Sequence, residues 1–189
     1  MSGASYPMLV VSLGTDHHKF DRLVDWIDDW LAARDDPPSC LIQHGASREP
    51  RFAAGIPRMP REDLLDLYAR ATVVVVQGGP GSILDAREVG QMPIAVPRRP
   101  ELHEVVDGHQ IAFTATMAHH GEAIAAESAA ALAMALDYGF GHPELMRTAP
   151  RRSGAAVAAQ KLQDAVAGLD TAGHGHMALR RIRQVLIHH

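Results

Sequence analysis

The stretch Gly78-Gly79-Pro80-Gly81-Ser82 follows four consecutive valines, Val73 to Val76, and precedes a run of helical period. Three glycines in four positions let backbone approach a ligand without side chains in the way. A helix starting near Ser82 would turn its unpaired N–H groups, and the positive end of its dipole, toward whatever lies in front of it. The chemistry these residues suit is the holding of a phosphate or diphosphate. They also have a plainer reading, in which Ser82 caps the helix and Asp85, three positions on, answers it in a variant capping box. Two other expected strand ends, Gly14-Thr15 and His44-Gly45, are similarly small and polar.

A parallel sheet would bring these loops together. Residues 8–13 form a continuous apolar run that reads as a strand buried on both faces. Phe20, Leu23, Val24, Ile27 and Leu31 then recur at helical spacing until Pro37-Pro38 ends the pattern. Residues 40–43 predict a second strand and 52–54 a third, 62–71 a helix, and 73–76 the strand that feeds the glycine loop. A helix over 82–89 closes at Gly90 and hands over to a strand at 94–96. Beyond Pro97 the pattern predicts a helix over 106–117, a strand at 123–125, a helix over 128–136 and a polar break at 147–152. A helix over 154–167, a linker at 170–176 and a basic amphipathic helix over 177–187 complete the expectation. Strand, loop and amphipathic helix in alternation specify an α/β, doubly wound parallel sheet, with one domain over 8–168 and a linker and short helix over 169–189. Ligands of such sheets lie beyond the carboxyl ends of the strands.

With 189 residues, 47% hydrophobic and 21% charged, the chain can bury one full core. A net charge of -4 and a pI near 6.3 lack the basic footprint of a nucleic-acid binder, so no nucleic-acid partner is expected. Cys40 is the only cysteine, which reads as a reduced thiol in the core and fits a cytoplasmic location. Residues 1–7 lack the character of a signal peptide, and no apolar run reaches the roughly 18 residues of a spanning helix, so membrane contact would come through another molecule. The dinucleotide fingerprint Gly-x-Gly-x-x-Gly and the P-loop pattern are absent. His17-His18, His119-His120 and His188-His189 are adjacent pairs rather than helix-face pairs, and His174 and His176 lie in the expected linker, so no functional metal site is expected.

Taken together, Gly78-Gly79-Pro80-Gly81-Ser82-Ile83-Leu84-Asp85-Ala86, Gly90-Gln91-Met92-Pro93-Ile94-Ala95-Val96-Pro97 and Asp107-Gly108-His109-Gln110 resemble the nucleotide-sugar-binding C-terminal half of family 28 glycosyltransferases. The opening Val11-Ser12-Leu13-Gly14-Thr15-Asp16, with Phe20-Asp21-Arg22-Leu23, resembles more narrowly the small catalytic subunits of two-chain enzymes. One of those adds the second N-acetylglucosamine to a dolichol diphosphate-linked sugar, and bacterial relatives act in exopolysaccharide synthesis. The resemblance covers residues 8–140. It implies a Rossmann-like single half of a GT-B glycosyltransferase, a UDP-sugar donor, and a membrane-associated partner subunit with an acceptor site for a lipid-linked or polysaccharide acceptor. The chain would then be peripheral at the inner face of the membrane, held there by its partner.

By the same resemblance, the loop of Gly78, Gly79, Gly81 and Ser82 faces the donor diphosphate, with Gly14 and Thr15 on the opposite wall. Asp85 stands where the family often has a glutamate that holds the ribose hydroxyls, one methylene longer. His109 and Gln110 match the pair that touches donor sugar and phosphates. Gln77 stands where related sequences often have a histidine. Inverting transfer needs a general base for the acceptor hydroxyl and stabilisation of the departing diphosphate. Asp16 and His17, with His18 beside them, are the candidate bases in this chain, and the partner half is the alternative source. No Asp-x-Asp stands near the glycine loop, which implies no metal and no cofactor beyond the donor itself. The loop over 98–105 holds Arg98, Arg99, Glu101, His103 and Glu104, where an arginine could pair with a uronic acid carboxylate. Two other readings stay open: a non-catalytic nucleotide-sugar-binding or regulatory subunit, and an epimerase, which would need a second domain in the same chain.

Overall fold

The computed structural model describes residues 7–151. At its centre lie β1 (Met8–Ser12) and β4 (Val73–Gln77), paired in parallel with Leu9 opposite Val73 and Ser12 opposite Val76. β2 (Ser39–Gln43) and β3 (Ala54–Ile56) extend the sheet on one side, and β5 (Ile94–Val96) and β6 (Ile124–Ala125) on the other. All pairs are parallel and the strand order is β3-β2-β1-β4-β5-β6, the doubly wound arrangement expected from the alternating pattern. The direction of sheet growth reverses between β1 and β4. Chains leaving those two strands therefore turn to opposite faces and leave a crevice at their carboxyl ends.

Side chains alternate across the pleat, so the two central strands build two cores. Leu9, Val11, Val73, Val75, Ile94 and Val96 pack with Leu23, Val24, Ile27 and Leu31 of α1 (Asp21–Ala32) and Leu132 and Leu136 of α5 (Ala129–Gly141). Val10, Val74, Val76 and Ala95 meet Leu64 and Tyr68 of α2 (Arg61–Arg70), Ile83 and Ala86 of α3 (Pro80–Glu88) and Met117 of α4 (His109–His119). The four valines of β4 are 0% exposed. Each such burial contributes about 1.5–3 kcal/mol, which makes β4 a rigid mount for the loop that follows it.

Several boundaries differ from expectation for identifiable reasons. The third strand is Ala54–Ile56 instead of 52–54, because Asp28 takes the N–H groups of Arg51 and Phe52 and holds that stretch outside the sheet. The fourth helix starts at His109 and not at 106, since Pro100–Leu102 forms a tight 3-10 turn that ends in His103 at φ 57. Ser128 caps α5 by accepting from Ala131 N at 3.1 Å, and the helix runs on to Gly141. The polar stretch after Met146 folds back along the corner between α3 and β5, with Thr148 N donating to Gly90 O and Arg151 N to Arg87 O, each at 2.9 Å. The expected helix over 154–167, the linker, the basic final helix, the histidines at 174, 176, 188 and 189 and the boundary at 168/169 lie outside the described residues.

Candidate functional site

The carboxyl ends of β1, β2 and β4 touch through glycines. Leu13 N donates to Gln43 O at 2.9 Å, continuing the β1–β2 ladder by one residue. Gly14 then turns with φ +77, and a Cβ there would stand 2.9 Å from Gln77 Nε2, at the end of β4. Gly45, at φ +60, would place a Cβ 2.8 Å from Gly14 O. The loops picked out by composition thus meet at one point, which is the topological switch point of the sheet.

Helix α3 begins at Pro80 with Gly79 as its N-cap in extended conformation, φ -77 and ψ 148, and without a side-chain cap. Proline suits the first helical position because its missing N–H is one a helix start cannot use. The amides of Gly81 and Ser82 follow it, and Ile83 N makes the first intrahelical bond, to Gly79 O at 3.3 Å. This overturns the capping-box reading. Ser82 is the third helical residue, and Asp85 accepts from Arg61 at 3.0 and 2.7 Å instead of from a helix-start amide. The three glycines have different surroundings. Gly78 is buried, its N–H goes to Val96 O at 2.9 Å, and a Cβ would meet Thr114 Oγ1 at 2.3 Å and Pro97 Cα at 2.9 Å. A Cβ on Gly79 would meet Gln77 Nε2 at 2.6 Å, while one on Gly81 has nothing within 4 Å.

The opposite wall is the β5–α4 loop, and Arg98 anchors it. Its side chain, 1% exposed, lies 4.8 Å from the Phe20 ring and donates to Leu13 O, His18 O and Glu104 O at 2.8, 2.9 and 2.9 Å. Glu104 in turn accepts from Arg22 and from Arg99 N. Arg98 is therefore a strut between the β1 and β5 loops and is not free to meet a uronic acid carboxylate, as the residue pattern had allowed. Gln110 lies in the first turn of α4. Its Oε1 accepts from Arg98 N at 3.2 Å and its Nε2 donates to Gln77 Oε1 at 2.8 Å. His109 opens the helix with its ring 90% exposed and its Nδ1 2.9 Å from Asp107 Oδ1. The His109 N–H held by Asp107 keeps that carboxyl below its ordinary range.

Asp16 and His17 lie on the β1–α1 loop beside this opening. The Asp16 carboxylate accepts from His18 N at 2.8 Å and pairs with His18 Nδ1 at 2.7 Å. Burial pushes its pKa up, but the two bonds from His18 and the charge of Arg98 outweigh that and hold it below 3.8. His17 is 85% exposed with Nδ1 3.5 Å from Asp16 Oδ1. The carboxylate and both imidazoles bring ligand-type atoms within 4.8 Å of one another, a geometry open to a metal ion. Thr15 is exposed, and its carbonyl lies 3.5 Å from the guanidinium of Arg58. Composition and spacing did not mark Arg58, Arg61 and Gln77 as site residues. The signal for the two arginines is Pro57-Arg58-Met59-Pro60-Arg61, a basic proline-bounded turn at the carboxyl edge of the sheet. An open cavity of about 870 Å³ lies at the opposite, amino end of the strands, lined by Pro7, Ser39, Thr72 and Arg147 among others. Arg34 there is paired with Asp137, and Arg147 with the carbonyls of Ala69 and Ala71.

No protein-family model matches the sequence, and no curated protein matches it. Solved structures do match. MurG of Acinetobacter baumannii superposes with a TM-score of 0.54 at 16% identity over 77% of this chain and 44% of that one. A glycotransferase of kitacinnamycin gives 0.53 at 18% identity over 77% and 38%, and the calicheamicin glycosyltransferase CalG4 gives 0.51 at 17% over 77% and 37%. At such identities the likeness is one of fold: a Rossmann-like α/β sheet of the kind that forms one half of a GT-B glycosyltransferase. The chain spans less than half the length of each of these proteins.

Proposed function

We infer that this chain is the donor-binding catalytic subunit of an inverting, UDP-sugar-dependent glycosyltransferase. Its acceptor side comes from a membrane-associated partner, and the product belongs to exopolysaccharide or lipid-linked glycan assembly at the cytoplasmic face of the membrane. The observation that carries this reading is the convergence of the glycine loops and the start of α4 on Gln77, at the switch point between β1 and β4. The start of α3, with Gly81 bare, follows the end of β4, where Gly14 closes on the Gln77 side chain and Gln110, in the first turn of α4, donates to it. The fold likeness to halves of glycosyltransferases supports it, since a half that carries only one wall of a cleft needs the other.

The donor diphosphate lies against the Gly81 and Ser82 amides. As the sugar leaves, negative charge grows on the diphosphate where these dipoles already point, and they stabilise it without reorganising. This supplies what a metal would otherwise do. Asp85 stands one turn further along α3 toward the ribose hydroxyls, braced by Arg61. His109, exposed at the start of α4, reaches the hexose. On the β1 side His17 takes the acceptor proton. Asp16, ionised and held by His18, lies close enough to steady the imidazolium that results.

Isothermal titration of the full chain with UDP and with UMP tests the donor site. UDP should bind more tightly than UMP because the second phosphate reaches the α3 amides. Equal affinities, or no binding, overturn the reading. Sugar transfer is expected only when a partner bearing the acceptor half is co-expressed.

A further inference from the structure

The polar groups behind the glycine loop form a chain whose direction is fixed at one end. Arg98 N is a backbone amide and can only donate, so Gln110 must present Oε1 to it, at 3.2 Å. That choice turns Gln110 Nε2 toward Gln77, which must accept through Oε1, at 2.8 Å. Gln77 then has only its Nε2 left to present forward, and this atom lies 3.4 Å from Ser82 Oγ. The Ser82 hydroxyl oxygen accepts over this long contact, which leaves its own proton for a different acceptor. Gln77 Nε2 lies close to two glycines, of which Gly14, at φ +77, is one that L side chains rarely fit. A Cβ on Gly14 would come to 2.9 Å from it and one on Gly79 to 2.6 Å.

We propose that Gln77 is a positioning residue. It relays the direction of donation from the Arg98 amide through Gln110 to Ser82, and so aims the Ser82 hydroxyl proton at an acceptor-only ligand, the diphosphate of the donor. The proposal rests on the donor-site reading above and adds to it a cause for phosphate selectivity. Every group along the chain donates toward the mouth, and hydrogen bonds in such a chain strengthen one another. A ligand that presents donors at that point meets a wall of hydrogens. A ligand that presents phosphate oxygens completes the chain.

The test is equilibrium binding of UDP, with uridine as the phosphate-free control, to the full chain and to Gln77→Glu, Gln77→His and Ser82→Ala between pH 5.5 and 8.5. Gln77→Glu keeps the shape and reverses the forward end. The introduced carboxylate still accepts from Gln110, but it draws the Ser82 proton back and sets a negative charge behind the phosphates. UDP affinity should fall about tenfold or more at pH 8 and recover as the pH drops through the carboxyl pKa, while uridine affinity stays level. Gln77→His restores a group that accepts on one side and donates on the other, and should stay within about threefold of wild type. Ser82→Ala removes the last hydroxyl without touching the relay behind it, and should weaken UDP but not uridine. If the wild-type chain binds UDP while Gln77→Glu and Ser82→Ala bind it as well at every pH, the relay is wrong and the donor site stands. The relay is equally wrong if both variants lose uridine along with UDP. A wild-type chain that does not bind UDP brings down the donor site and the relay together.

Discussion

The three glycines after β4 look equivalent in the sequence, yet the structure demands opposite outcomes from the same substitution. Gly81 is the second residue of α3, and an added Cβ meets nothing within 4 Å. Inside a helix alanine is favoured over glycine by about 0.5–1 kcal/mol, and a change of 1 kcal/mol moves the melting temperature of a domain this size by about 2–4 °C. Gly81→Ala should therefore raise Tm by about 1–4 °C. On the proposed donor-site reading it should also weaken UDP, because the added methyl group narrows the open space beside the Gly81 amide. Gly78 is the reverse case. Its Cβ would sit 2.3 Å from Thr114 Oγ1 and 2.9 Å from Pro97 Cα. The hydroxyl can swing away, but the proline backbone is the exit of β5 and cannot. Overpacking of this kind costs about 1–3 kcal/mol and more where backbone must shift, so Gly78→Ala should lower Tm by about 6 °C or more. Differential scanning calorimetry and UDP titration on the two variants decide the matter. A Gly81→Ala protein that is both stabilised and undiminished in UDP binding would show that the loop does not face the nucleotide. A Gly78→Ala protein as stable as wild type would refute the packing on which the loop is mounted.

Asp28 is 0% exposed and accepts from the Arg48 guanidinium and from the N–H groups of Arg51 and Phe52, clasping the stretch before β3 onto α1. Removing one partner of such a buried ionic cluster costs about 3–5 kcal/mol, the loss expected in urea unfolding of Asp28→Ala. Burial alone would raise the Asp28 carboxyl, but the bonds from Arg51, Arg48 and Phe52 hold it below 3.8. Its contribution is thus complete above that value and is lost as pH falls through the lower folded pKa, so Asp28→Asn should flatten the acid limb of the stability profile. Burial, assisted by the charge of Asp28, raises the partly exposed Cys40 thiol to about 12, and the native protein should react with a thiol reagent at pH 8 more slowly than a free cysteine does. If the α3 amides do the work assigned to them, EDTA should leave UDP affinity within about twofold, and a larger drop would bring the cluster of Asp16, His17 and His18 into the reaction as a metal site.

The sheet was legible because local composition determines it. Residues 73–76 are all valine, a strand that both faces must bury, and the turn residues around it place its ends within a residue or two. The elements misjudged were those whose limits depend on distant groups: the start of β3 on Asp28, and the start of α4 on a loop pinned by Arg98 to Leu13 O. The site divides along the same line. Glycine marks the loops, and its meaning at Gly14 and Gly45 follows from positive φ and close neighbours that no spacing reveals. Arg98 read as one of two loop arginines open to a ligand carboxylate, whereas its carbonyl partners include residues 80 and 85 positions earlier in the chain. Gln77 read as a missing histidine. Its partner Gln110 is 33 residues away and comes into reach only because β5 pairs with β4 and α4 returns over that edge of the sheet. A glutamine and a neutral histidine can both accept on one side and donate on the other. If the proposed relay holds, glutamine in place of the histidine found in the sequences this chain resembles keeps the direction of donation, and position 77 needs polarity along the chain more than an imidazole.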